Sequence, residues 1–390
     1  MRNQASKKQL FSADKNIDLP CPPNKAPVKP ARGLQPHRPG RKETVAVAVS
    51  GGVDSMVTAL LLKQQGHPVL ALHMILRPQD PPEAGKQIKE LTTRLGVTLH
   101  LVDLRLAFQK QVIEPFVDAY RKGMTPNPCV ICNPRIKFSL LQEKAIELGA
   151  NSLATGHYAR ILFDSSQGRV RLFRGRDRAK DQSYFLYGLN QFQLGRTFFL
   201  LGDYRKKEVK QLATEAGMGG YYRAESQEIC FISGRDYRDF LEEQLGPDLP
   251  EPGPVLDLED RRLGKHEGIH RYTIGQRRGI GIPAATPYYV VGLEPESNIV
   301  RVGRKSDLRR RELLVNSVNW IAMSPPSSNF EALVQVRSRH REAPATVEVG
   351  EEHCFISFFE PQEAITPGQS AVFYHDEEVL GGGIIERVLT

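Results

Sequence analysis

Three stretches of this chain put reactive side chains at spacings that chemistry can use. Ser50-Gly51-Gly52-Val53-Asp54-Ser55 combines two glycines, two hydroxyls and a carboxylate between an apolar run and an amphipathic one. Glycines there let the backbone turn tightly, so that amides and a helix start converge on an anion. The lysine of a GxxxxGK[S/T] loop is missing, so this is a different phosphate cradle. Asn127-Pro128-Cys129-Val130-Ile131-Cys132-Asn133 sets two thiols three residues apart. An ordinary thiol is only about 3% thiolate at pH 7, and a helix beginning just after it would raise that fraction. A CxxC pair also serves as a zinc half-site or a redox couple, although closed zinc needs four ligands. A third thiol, Cys230, lies in Glu225-Ser226-Gln227-Glu228-Ile229-Cys230-Phe231. Alone it reads as a small buried hydrophobe or as a nucleophile. Cys21 and Cys354 fall in a tail and a β-run and are set aside.

These residues need a scaffold, and the hydrophobic pattern predicts one. Strands over 45–49, 69–74, 97–102 and 151–154 alternate with helices over 53–65, 83–95 and 135–148, the signature of a parallel sheet covered on both faces. Such sheets bind ligands at the carboxyl ends of their strands. Two further segments belong at that edge. Ala154-Thr155-Gly156-His157-Tyr158-Ala159 follows a strand, and Lys180-Asp181-Gln182-Ser183-Tyr184-Phe185-Leu186 precedes an expected apolar helix. Helices also read over 206–216 and 236–243. After about residue 247 short β-branched runs follow between glycines and prolines, at 288–291, 299–302, 313–318, 332–337, 345–349, 354–359 and 371–374. They read as small β-barrels or sandwiches.

Length and composition bound the rest. At roughly 150 residues per domain, 390 residues make two or three domains. A 40% hydrophobic and 25% charged composition excludes whole-chain disorder, and no apolar run is long enough for a membrane span. Five cysteines do not suggest a secreted disulfide framework, so a cytoplasmic, reducing location is expected. The net charge of +8 sits in residues 1–42, which hold ten Lys/Arg, seven prolines and only Asp14 and Asp18 as acids. That segment reads as a disordered basic tail, whether idle, RNA-attracting or a transit peptide. Arginines cluster in the neutral body at Arg169, Arg171, Arg174, Arg176 and Arg178, at Arg309, Arg310 and Arg311, and at Arg337, Arg339 and Arg341, each cluster reading equally as a solvated face or as an RNA contact.

SGGVDS after an apolar strand resembles the pyrophosphate loop of the N-type ATP pyrophosphatases. The full series SGGVDS, TPNPCVICN, ATGHYAR, KDQSYFLY, ESQEICF, GIHRYTIGQRR and TPGQSAVFY is similar, from about residue 45 to the end, to the tRNA-specific 2-thiouridylases. The resemblance implies an α/β fold with a doubly wound parallel sheet (an adenine nucleotide alpha hydrolase-like domain) over 43–245, a small β domain over 246–308 and a C-terminal β-barrel over 309–390. It implies that ATP, with Mg2+, adenylates the 2-oxygen of the wobble uridine in the tRNAs for Lys, Glu and Gln, and that sulfur then replaces that oxygen.

Carried over residue by residue, Ala48, Val49, Ser50, Gly51, Gly52, Val53, Asp54 and Ser55 bind ATP, with Met74 and Gly156. Cys132 is the nucleophile, and Cys230 carries a persulfide delivered by a cysteine desulfurase or relay protein. The two pair as a disulfide once sulfur is released. Asn127, Pro128 and Cys129, together with the 180–182 segment, fall where the family contacts the target base and tRNA. Lys180, Asp181, Gln182, His157, Arg337, Ser338 and Gln369 meet the tRNA. Ser338 stands where the family often has tyrosine. Cys129 stands where some members have aspartate, and with Cys132 and Cys230 it makes a set that could instead hold a [4Fe-4S] cluster. A small-molecule ligase or amidotransferase using the same loop would leave the thiols idle. A non-catalytic RNA-binding module would tolerate serine at both Cys132 and Cys230.

Overall fold

The computed structural model describes residues 34–36, 43–77, 82–218, 229–232 and 234–389. A short strand β1 (Leu34–Pro36) precedes the run β2 (Val45–Ala48), α1 (Val53–Gln64), β3 (Val69–Ile75), α2 (Pro82–Arg94) and β4 (Thr98–Asp103). A long helix then runs α3 (Arg105–Phe108), a π-helical stretch (Gln109–Ile113) and α4 (Glu114–Arg121). A second runs α5 (Pro128–Cys132), a π-helical stretch (Asn133–Leu140) and α6 (Leu141–Glu147). β5 (Ser152–Ala154), β6 (Ala159–Asp164), β7 (Arg169–Arg174), α7 (Gln191–Gly195), β8 (Thr197–Phe198), α8 (Lys206–Glu215) and α9 (Tyr237–Leu245) follow.

The first sheet is all parallel, in the order β4-β3-β2-β5-β8. β2 at its centre is continuously apolar and buried, as a strand covered on both faces requires. The chain leaves β2 outward to β3 and β4, then returns to β5 on the opposite side. The β2/β5 boundary is therefore the point where strand order reverses and a crevice opens. On one face α1 packs Met56, Val57 and Leu61 with Val209 and Ala213 of α8. On the other, Phe138, Leu141 and Ala145 cover Leu153.

The expected helix over 135–148 begins earlier, at Pro128. Asn127 caps it, its Oδ1 accepting from the Cys129 amide at 3.2 Å, and Pro128 fits the first turn because it needs no donor there. Pro134 cannot supply an amide to the preceding turn, and there the helix widens to i→i+5 bonding. The motif Lys180–Leu186 itself holds a 3-10 turn, Ser183–Phe185, and the apolar helix expected after it is the short α7. Of residues 1–42, Leu34–Pro36 pair antiparallel with β6, so the expected disordered tail has at least this ordered strand; the rest of that segment lies outside the described residues, as do Glu225, Ser226, Gln227 and Glu228.

The β modules comprise β9 (Gly253–Leu256), β10 (Arg262–His266), β11 (Tyr289–Glu294) and β12 (Ile299–Gly303), then β13 (Arg309–Trp320), β14 (Phe330–Gln335), β15 (Ala343–Val349), β16 (His353–Glu363), β17 (Ser370–His375) and β18 (Glu378–Val388). The first four form one sheet, β10-β9-β12-β11. The last six close into an antiparallel barrel, because β18 pairs with both β13 and β17. β7 adds to the start of β18, so a hairpin from the first half of the chain extends the barrel's sheet. Val170 and Leu172 of β7 share a core with Val372 and Val379. No helix among the described residues is long and apolar enough to cross a membrane.

Candidate active site

The crevice at the β2/β5 boundary is lined by the loops that leave those two strands. Gly51 has φ +78° and faces Ile88, where a Cβ would lie 3.0 Å from Cγ1, so the turn needs glycine on both counts. No side chain caps the start of α1, which leaves its first amides directed at the crevice with the positive end of the helix dipole. Ser55 braces the loop from inside: its Oγ accepts from the Ser50 amide at 3.3 Å and donates to the Gly52 carbonyl at 3.0 Å. Opposite, Gly156 lies so near α1 that a Cβ would sit 2.9 Å from Asp54 Cβ and the Ser55 nitrogen. Met74 lies on the neighbouring β3, and His73 Nδ1 bonds the Val49 carbonyl at 2.8 Å.

Asp54 does not stand free at this loop. Lys206 Nζ donates to both its oxygens, at 2.7 and 2.6 Å, and the Tyr158 hydroxyl donates to Oδ1 at 2.8 Å. Lys206 is only 7% exposed and comes from the first residue of α8. It supplies beside the loop the cation that the loop's own sequence lacks. Nothing in the run Lys206-Lys207-Glu208 marks the first lysine over the second, so sequence reasoning missed it.

The thiols occupy the neighbouring helix. Cys129 lies in the first turn of α5, and Cys132 ends it, where the helix widens. Both thus sit within the helix, not ahead of one starting at Arg135. Cys132 packs against the cluster of Phe108, Phe116, Ile136 and Phe231, with Ile229 beside it, so the residues flanking Cys230 share its apolar surroundings. Burial pushes the Cys132 thiol up to about 12, Lys137 pulls it down, and the Cys230 and Cys129 thiolates repel it. The expected low-pKa thiolate is therefore absent in this arrangement, since desolvation outweighs the nearby cation. Cys129 is open to solvent over much of its area, yet close packing raises its thiol too, against Lys137. Among the described residues no three His, Cys, Asp or Glu side chains converge as a metal would need. Cys129, Cys132 and Cys230 lie near enough for the other two to act on the Cys132 proton.

Lys137, also missed in the sequence, joins the two halves of the site. Its Nζ donates to Asn133 Oδ1 at 3.1 Å and lies 3.5 Å from His157 Nε2, while Thr155 Oγ1 meets His157 Nδ1 at 2.7 Å. Burial, then Lys137, holds His157 well below its usual pKa, so it is a neutral hydrogen-bonding ring. Asp181 and Gln182 face inward. Asp181 accepts from Arg174, Ser183 and the Gly175 amide, and Gln182 Oε1 accepts from the Tyr158 amide at 3.0 Å. Lys180 is half-buried beside them. Gln369 Nε2 donates to the Thr125 carbonyl at 2.6 Å, and the Thr125 amide donates to the Pro367 carbonyl at 2.9 Å.

Of the arginine patches, the first is a structural array. In Arg169–Arg174 the inward positions are Val170, Leu172 and Arg174. Arg169 binds the Ile321 and Met323 carbonyls, Arg171 pairs with Glu378 and Asp164, Arg176 with Glu208 and Arg178 with Glu342, and Arg174 is buried. Arg310 binds carbonyls of its own turn, whereas Arg309 and Arg311 are exposed. Arg337, Ser338, Arg339 and Arg341 are all exposed.

Comparison with known proteins shows the family. The family described as tRNA methyl transferase HUP domain matches residues 43–234, the PRC-barrel domain of the same series matches 238–304, and an aminomethyltransferase beta-barrel domain matches 310–385. The chain is 42% identical over 363 residues to the tRNA-specific 2-thiouridylase MnmA of Carboxydothermus hydrogenoformans, covering 90% of this chain and 99% of that one. It is 44% identical over 364 residues to the protein of that name from Geobacter metallireducens, covering 90% and 98%. Among solved structures, a 4-thiouridine synthetase–RNA complex with bound ATP matches 53% of this chain and 51% of its own with TM-score 0.35 and 18% identity, too slight a likeness to argue from.

Two outcomes are expected from this geometry. Lys206→Met leaves the Asp54 carboxylate without its buried cation, which destabilises the fold by about 3–5 kcal/mol and lowers the melting temperature, and the disturbed loop binds ATP about tenfold or more weakly. Adding Asp54→Asn restores much of the lost melting temperature, which thermal denaturation of the single and double variants reads out. In the ligand-free protein, Cys132 alkylates more than about tenfold slower at pH 8 than an ordinary thiol and accelerates toward pH 12. The unfolded chain gives up this proton near 9 and the folded one near 12, so this thiol's contribution to stability is full below 9 and falls as pH rises between them. Mass spectrometry of labelled peptides across pH measures the rate.

Proposed function

The chain belongs to the tRNA-specific 2-thiouridylase family, and we propose that it is a tRNA-uridine 2-sulfurtransferase that adenylates the wobble uridine and then exchanges oxygen for sulfur at C2. The observation that carries this reading is the juxtaposition at one sheet edge. The loop after β5 joins the two: Gly156 packs against Asp54 and Ser55 of the Ser50–Ser55 loop, and His157 meets Lys137 of the helix bearing Cys129 and Cys132.

The chemistry follows from what each part can do. A uracil carbonyl oxygen is a very poor leaving group. The uridine O2 attacks the α-phosphorus of ATP, the bond to the β-phosphate breaks, and pyrophosphate leaves from the amides at the start of α1. Mg2+ would come bound to ATP through phosphate oxygens and water; the loop's one carboxylate, Asp54, has both oxygens engaged by Lys206. AMP is now the leaving group. The terminal sulfur of a Cys230 persulfide attacks C2, and the C2–O bond breaks. Cys132 then attacks the Cys230 sulfur, so that the S–S bond breaks, the thiocarbonyl remains on the base and a Cys132–Cys230 disulfide forms. An external thiol reductant resets the pair, and a cysteine desulfurase or relay protein reloads Cys230. Neutral His157 and the capping Asn127 would orient the base, which must leave the anticodon stack at a cost of a few kcal/mol.

The test is a thiolation assay with ATP, magnesium, a persulfide donor and tRNA, resolved on a gel that retards thiolated RNA. A shift that needs ATP and is lost with a wobble-cytidine tRNA is expected. Cys230→Ser is expected to abolish the shift while ATP binding persists. Undiminished thiolation by that variant would remove Cys230 from the mechanism. ATP cleavage only with small amine or acid substrates would turn the reading to a ligase.

A further inference from the structure

Arg174, the last residue of β7, is 4% exposed, yet its guanidinium touches parts of the chain that are far apart in sequence. Nη1 donates to Asp181 Oδ2 at 3.2 Å and to Gln335 Oε1 at 3.1 Å, Nη2 lies 3.3 Å from Glu342 Oε2, and the plane stacks 3.5 Å from the centre of the Tyr374 ring. Gln335, the last residue of β14 and likewise 4% exposed, passes the contact on. Having accepted from Arg174, its amide donates through Nε2 to the carbonyls of Arg337 at 3.0 Å and Ser338 at 3.1 Å. Glu342 closes the far end of the same loop by pairing with Arg178 at 3.0 Å. One buried cation and one buried amide thus fix the backbone on both sides: the 180–183 segment through Asp181, and the 337–342 loop through Gln335 and Glu342. Exposed Arg337, Arg339 and Arg341 ride on that loop, and Lys180 rides on that segment.

A buried guanidinium has a steep desolvation cost, which apolar packing of the same volume would avoid. Its retention makes sense where geometry matters, because a planar donor fork holds several acceptors at set angles. We propose that Arg174 and Gln335 are positioning residues that lock the 180–182 segment and the 337–341 loop into one arrangement, so that tRNA meets both as a single preformed surface. This rests on the reading of those two elements as RNA contacts. Locking them in advance removes the ordering cost that two independent loops would carry into binding.

The experiment is a double-mutant cycle on tRNA affinity in the full-length chain, with ATP affinity measured alongside. Gln335→Glu keeps the side-chain shape and the acceptor for Arg174 but cannot donate to the two carbonyls. Glu342→Gln, at the half-exposed end, perturbs the same loop with less risk to folding. Each is expected to weaken tRNA binding, by about tenfold for the Gln335 variant, with ATP affinity unchanged. Arg337→Ala should cost markedly less in the Gln335→Glu background than in the parent, since the loop is then already released. If Arg337→Ala and Lys180→Ala each weaken tRNA binding while both loop variants bind as the parent does, or while the effects simply add, the positioning role is overturned and the RNA surface stands. If Lys180→Ala and Arg337→Ala bind tRNA as the parent does, the RNA reading of these elements fails and the proposal falls with it. A merely structural role would lower ATP and tRNA affinity together, and that outcome also overturns it.

Discussion

The active-site geometry depends on one close approach, where the loop leaving β5 runs against the start of α1. Only a residue without a side chain fits at 156, because backbone and Cβ atoms of Asp54 and Ser55 occupy the space. β2 and β5 are neighbours in a parallel sheet, so the loops after them must emerge side by side. The tighter they pack, the more firmly each fixes the other. Asp54 turns this proximity into a bond, since it holds Tyr158 from the second loop and Lys206 from α8. Gln182 clasps the Tyr158 amide, which draws the 180–182 segment under the same loop. The Ser50–Ser55 loop, the histidine loop and that segment are therefore linked by buried polar contacts as well as apolar packing.

The thiols are placed by a second set of constraints, at Thr125. Its amide and carbonyl are held by the barrel through Pro367 and Gln369, and its hydroxyl meets Thr273 of the central β module at 3.2 Å. Two residues later Asn127 caps the helix that carries Cys129 and Cys132. The barrel thus acts on the chemistry without lining it, by fixing where that helix begins. The widened turn that follows changes which residues face the thiol. Five residues apart on an α-helix point about 140° from one another at 3.6 residues per turn. In an i→i+5 turn they draw toward one face. Lys137, five residues after Cys132, thereby comes near enough to act on both cysteines and on His157.

What could be read in the sequence follows from the range of the forces involved. Ser50-Gly51-Gly52 and Asn127-Pro128-Cys129 announce themselves because turns, caps and helix starts are decided by adjacent residues. The parallel sheet is legible for the same reason, its strands being short apolar runs between amphipathic helices. The hairpin of β6 and β7 was not, because Arg169-Val170-Arg171-Leu172-Phe173-Arg174 draws attention to its charges. Its alternation of inward apolar residues was the better signal, and its arginines meet carboxylates such as Glu378, far along the chain. Lys206 and Lys137 were invisible because each is defined by a partner that only the fold brings close. The inward aim of Asp181 and Gln182 belongs to the same class. Their motif locates the segment, but only the packing tells which side chains are left over for a ligand.

The high pKa of Cys132 bears on how the proposed sulfur transfer avoids waste. A persulfide exposed to a permanently ionised neighbour would be attacked at once, forming the Cys132–Cys230 disulfide and losing sulfide before any base arrived. A thiol held protonated by desolvation cannot make that attack. Lys137 stands ready to stabilise the anion, but burial outweighs it in the ligand-free protein. The balance must shift by a change in the surroundings of the sulfur, and an adenylated base entering beside Asn127 and Cys129 brings new polar groups to that position. In the proposed mechanism the nucleophile would then become competent only once the leaving group is in place. The apolar cluster around the widened turn, which holds Cys132 protonated, is thus what suppresses premature disulfide formation in the proposed reaction.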